Sequence, residues 1–105
     1  MQDPAALHAS LVTIDTHIDI PWPTGPDAFE DRPRGPGARR VDLPKMRAGG
    51  LGAGCFAAYV PQTTRDPAGW GAASERALGM LDAINAMGRT ENGITARVAS
   101  TADEI

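Results

Sequence analysis

His17 and Asp19 stand two residues apart in the run Leu11-Val12-Thr13-Ile14-Asp15-Thr16-His17-Ile18-Asp19-Ile20, directly before Pro21. Neutral imidazole and carboxylate are both good ligands for zinc and similar divalent ions. At i and i+2 on a strand they point the same way, and the backbone fixes their separation without ordering a loop. Read as a strand, the run splits into an apolar row, Val12, Ile14, Thr16, Ile18 and Ile20, and a polar row, Thr13, Asp15, His17 and Asp19. Two readings of the polar row stand side by side: a metal-binding pair, or the wet face of a half-buried antiparallel strand.

The elements around this run decide between them. Asp3-Pro4 opens a short leading helix to about Ser10, with Asp3 as cap and Pro4 at the first helical position. His8 on it reads as a surface histidine. After the strand comes a Gly/Pro/charge-rich stretch to Arg40, either a solvated loop or a lid, in which Arg32, Arg34, Arg39 and Arg40 could meet an anion. Val41 to Gly50 predicts a helical turn or two, capped by Asp42 and ended by Gly49 or Gly50 in the left-handed conformation. The next run, Leu51 to Pro61, is apolar or small on both faces, as expected for a parallel strand covered on both sides. With such a neighbour, the row of Asp15, His17 and Asp19 is expected to face an interior, where an imidazole beside carboxylates needs a metal or a dense hydrogen-bond network.

Asp66-Pro67 opens the clearest helix, to about Met87 with Gly88 closing it. Its stripe is Trp70, Ala73, Ala77, Met80 or Leu81, Ile84 and Met87, and Gly69, Gly71 and Gly79 suggest close packing. Ile94 to Ala99 reads as a third strand. Ser100-Thr101-Ala102-Asp103 has the look of a capping box that begins another helix, so the chain is expected to be a piece of something longer.

This order is that of an α/β protein with parallel strands and helical crossovers, either a doubly wound sheet or a closed β/α barrel. No G-x-G-x-x-G or Walker-type loop follows a strand, so nucleotide binding lacks support. A ligand pair at the carboxyl end of the first strand favours the barrel, whose active sites lie at that end. At 105 residues, 42% hydrophobic and a formal charge of −3, the chain suits one small unit with no basic stripe for nucleic acid. No run nears the roughly 20 apolar residues of a membrane span, and no signal peptide opens the chain. A soluble, cytoplasmic protein is expected. The single Cys55 reads as a small buried hydrophobe.

Ile14-Asp15-Thr16-His17-Ile18-Asp19-Ile20-Pro21-Trp22, followed by Val41-Asp42-Leu43-Pro44-Lys45-Met46-Arg47-Ala48-Gly49-Gly50-Leu51-Gly52-Ala53 and an aromatic strand ending Tyr59-Val60-Pro61, resembles the N-terminal part of the renal (membrane) dipeptidases, peptidase family M19. The resemblance implies that residues 1 to 105 are the first part of one eight-stranded β/α (TIM) barrel, a zinc-dependent metallodipeptidase that tolerates a D-residue at the C-terminal position of its dipeptide. His17 and Asp19 match the first two zinc ligands of a two-zinc site. The remaining ligands would fall beyond Ile105, so the chain alone is expected to be inactive and the parent to be a dipeptidase and possible homodimer. Trp22 and Tyr59, at strand ends, are candidates to line the substrate pocket, or they pack as ordinary aromatics. Asp15 is a candidate hydrogen-bond partner of a ligand. Another metal-dependent amidohydrolase of small amides, or a non-catalytic barrel segment, are the alternatives.

Overall fold

A computed structural model describes residues 1, 3–19, 27–32 and 39–105. Helix α1 (Pro4–Ala9) is capped by Asp3, whose carboxylate accepts the Ala5 N–H at 3.2 Å, and Pro4 sits where no intrahelical donor is needed. Strand β1 (Ile14–Asp19) follows. Helix α2 (Leu43–Gly49) starts at Asp42, which accepts the Lys45 N–H at 2.8 Å, and ends at Gly50 with φ 71°. The left-handed conformation there suits a residue without Cβ. Strand β2 (Ala53–Ala57) then pairs with β1 in parallel, so β1, α2 and β2 form one βαβ unit.

Thr13 joins the two ends of that unit. Its hydroxyl donates to the Gly50 carbonyl at 2.6 Å and accepts the Gly52 N–H at 2.8 Å, while its own carbonyl accepts the Ala53 N–H at 2.9 Å. The polar row expected for β1 therefore loses Thr13 to a backbone joint.

The core lies on one side of the two strands. Ile18 is buried with Leu43 and Met46 of α2, with Ala28 and Phe29, and with Met80 and Met87. Gly54 on β2 leaves room for it: a Cβ there would fall 2.6 Å from Ile18 Cδ1. Helix α3 (Pro67–Asn85) begins at Asp66, which accepts the Gly69 N–H at 2.7 Å. It packs Met80 and Ile84 into the core as the spacing predicts, with Ala73 and Ala77 half-buried, but Trp70 at its first turn is exposed. Of its glycines only Gly69 is closely packed, since a Cβ there would meet the Thr64 carbonyl oxygen at 2.0 Å. Gly71 and Gly79 have open space.

Two expectations need correction here. The third strand expected over Ile94 to Ala99 is instead the second arm of a small antiparallel hairpin, β3 (Thr90–Glu91) and β4 (Ile94–Thr95). Asn92 at φ 51° and Gly93 at φ 72° form its turn. Two central residues with positive φ match the right-handed twist of paired strands, which is why Asn-Gly makes hairpins. The capping box is present and opens a turn of 3-10 helix (Ala102–Glu104), where Glu104 accepts the Thr101 N–H at 3.1 Å. Cys55 is exposed, because it points away from the core side that Gly54 and Phe56 share.

The architecture is thus a mixed α/β arrangement in which the described strands form one parallel pair and one hairpin. Its accessible surface is 7546 Å², against about 5,600 Å² for a compact monomer of the same mass.

Candidate metal centre

The pair that could hold a metal ends β1. The strand's irregular register aims it. Asp15 pairs with Gly54 and Ile18 with Phe56, so β1 advances three residues where β2 advances two. One extra residue resets the alternation between Asp15 and Ile18. From there Ile18 enters the core, while His17 and Asp19 share the opposite face with Ala57, the register partner of Asp19.

On that face His17 Nε2 lies 3.3 Å from Asp19 Oδ1. The two side chains are 71% and 59% exposed. The expectation of an interior position is therefore corrected: among the described residues the helices cover the Ile18 side of the two strands and leave the His17 and Asp19 side open. Asp15 does not touch the imidazole. Its Oδ1 accepts the main-chain N–H of His17 at 2.9 Å. Tyr59, two residues past Ala57, is exposed, and Trp22 lies outside the described residues. Among the described residues no group of three or more His, Cys, Asp or Glu side chains could hold a metal ion. His17 and Asp19 suit zinc by donor type and common facing, and they furnish two of the at least three protein ligands a zinc site uses.

A second polar cluster, which sequence reasoning missed, fixes the segment at residues 27–32. Asp42 is 1% exposed. The Lys45 ammonium donates to Asp42, to Asp31 Oδ1 at 2.9 Å and to the Arg32 carbonyl at 2.8 Å. Burial pushes the Asp42 carboxyl up, but hydrogen bonds from the Lys45 ammonium and from the main chain outweigh it and hold the group below its ordinary value. The bonds to Asp31 and Asp42 raise Lys45 in turn. The signal was present as a Lys three residues after a capping Asp, although the partner Asp31 is not readable from local spacing.

Arg89 holds the same segment from the other side. Its guanidinium lies 4.3 Å from the Phe29 ring centroid, donates to Asp27 Oδ2 at 3.1 Å and pairs with Glu91 at 2.8 Å. Of the arginines expected near an anion, Arg32 pairs with Glu30 at 2.9 Å, Arg39 is buried, Arg40 is exposed and Arg34 lies outside the described residues.

With this geometry in view, comparison with known proteins gives one family, described as Membrane dipeptidase (Peptidase family M19), matching residues 1–105. No curated protein and no solved structure matches the chain. The chain belongs to the membrane dipeptidase family.

Proposed function

We propose that this member of the membrane dipeptidase family supplies the first metal-ligand strand of a zinc-dependent hydrolase that cleaves the peptide bond of dipeptides, including those with a D-residue at the C-terminal position. The proposed setting is an eight-stranded β/α barrel in which β1 and β2 are neighbouring strands. The observation that carries the reading is the facing of His17 and Asp19, on one side of β1, at its carboxyl end, with nitrogen and oxygen 3.3 Å apart.

Bound zinc would supply a water acidic enough to give hydroxide near neutral pH, and it would polarise the scissile carbonyl. The chain's own residues bind and orient. His17 offers Nε2 and Asp19 offers a carboxylate oxygen from a rigid strand, so neither ordering a loop nor a change of rotamer in the core is required. Neither moves a proton while serving as a ligand. Tyr59, two residues past Ala57, the partner of Asp19, would border the substrate. Two ligands do not complete a zinc site, so activity is proposed for the complete barrel.

The test is hydrolysis of L,L- and L,D-dipeptides by the complete zinc-loaded enzyme. Zinc-dependent turnover of both, lost with a chelator and restored by zinc, is expected. Hydrolysis of cyclic or other small amides but not of dipeptides would instead indicate a different amidohydrolase.

A further inference from the structure

We propose that Asp15 is a positioning residue that aims the His17 and Asp19 side chains to their common face, through its bond to the main chain and not through its charge. The claim about facing stands on the structure of β1. What the faced pair does rests on the metal reading above.

The extra residue in β1 falls between Asp15 and Ile18, the stretch that contains His17. Without it, strict alternation would put Asp15 on the same side as His17 and Asp19. With it, Asp15 stands at the register position of Gly54, which is a core-side position, while His17 and Asp19 go to the side of Ala57. An irregularity of this kind leaves a main-chain donor out of the ladder, to be met by water or by a nearby side chain. Asp15 Oδ1 accepts the His17 N–H at 2.9 Å and provides such a partner within the same strand. A side-chain oxygen reaching the N–H two residues on is the local bond that Asp and Asn make most readily. The bond therefore fixes the residue whose imidazole is offered to the metal. The bond uses one carboxylate oxygen, and the ion pair of the imidazole is with Asp19, so an uncharged side chain of the same shape should serve.

Three variants of the 105-residue chain test this: Asp15→Asn, Asp15→Ser and Asp15→Ala. Amide hydrogen exchange is read at His17 and, as a control for the core, at Met80. Zinc titration is followed at the His17 ring resonances of the complete enzyme carrying the same substitutions. Asp15→Asn should keep the His17 amide as protected as in the parent chain. Asp15→Ala should exchange there roughly fivefold to tenfold faster, about the effect of one lost hydrogen bond, with Met80 unchanged. Asp15→Ser, whose hydroxyl makes the same bond more weakly, should lie between. If Asp15→Ala does not fold, a native Asp15→Asn chain with intermediate Asp15→Ser still gives the expected order.

Equal protection of His17 in Asp15→Ala and the parent chain would overturn the proposal, as would an Asp15→Asn chain that behaves like Asp15→Ala. In the complete enzyme, zinc should shift the His17 ring resonances with and without Asp15→Asn, and less with Asp15→Ala. Should zinc leave the His17 ring resonances of the complete enzyme unmoved while the exchange pattern of the chain holds, the metal reading fails and the positioning role stands.

Discussion

His17 Nε2 sits 3.3 Å from Asp19 Oδ1 on an open strand face. An exposed contact of this kind adds little to folding, because water screens it and side-chain freedom is lost in making it. Its removal should therefore separate chemistry from stability. His17→Ala and Asp19→Ala are each expected to change unfolding free energy by no more than about 0.5 kcal/mol. Each should abolish zinc-dependent dipeptide turnover in the complete enzyme. Wild-type turnover by either variant at limiting zinc would remove these residues from the ligand set.

Asp42 should behave in the opposite way. Asp42→Ala removes the α2 cap and a buried partner of Lys45, and is expected to cost about 1–3 kcal/mol. The sign with pH follows from the lowered carboxyl. A depressed folded-state value gives stability that is complete above the ordinary 3.8 and is lost as pH falls through the folded value. The raised Lys45 contributes stability that is complete below the ordinary 10.5 and is lost as pH rises through the folded value. Thermal midpoints of the parent and Asp42→Asn chains between pH 5 and pH 2 should converge on the acid side.

The three glycines of α3 should divide. Gly71→Ala and Gly79→Ala meet nothing within 4 Å and should each stabilise by about 0.5–1 kcal/mol, since alanine is the better helix former. Gly69→Ala would drive a Cβ into the Thr64 carbonyl and should destabilise. Denaturant midpoints of the three single variants read this directly.

Phe29 tests whether residues 27–32 belong to the core. Its ring is 2% exposed, between the cluster of Ile18 and Met80 and the Arg89 guanidinium. Phe29→Ala is expected to cost about 3–5 kcal/mol, against a small effect for a change on a solvated loop. An equilibrium unfolding curve within error of the parent's would show that the segment is not part of the fold.

The caps of α1, α2 and α3 were legible because each is an Asp followed by Pro within two residues, a signal read within one turn. The Met80, Ile84 and Met87 stripe was legible for the same reason, through helical period. The extra residue in β1 was not. Period-2 reading put Asp15 beside His17, and only the register against β2 shows the reset. The hairpin was missed although Asn92-Gly93 is a strong turn signal, because the apolar run after it was read as a strand alone. Phe29 was read as loop because nothing in Pro/Gly-rich surroundings tells that one ring is anchored by Arg89, distant in sequence. The donor types at His17 and Asp19 could be read locally. Their exposure could not, since it depends on which face the helices cover.

The Thr13 joint also bears on the expected order of events in folding. Its hydroxyl meets Gly50, 37 residues along the chain, and its other bonds reach Gly52 and Ala53. Bringing ends that far apart together costs about 3 kcal/mol in chain entropy before any bond is made. The helices and the hairpin need only neighbours and form on faster timescales. The two parallel strands are therefore expected to close after the helices and the hairpin, so that in pulse-labelling exchange the Ala53 amide gains protection later than the amides of α3.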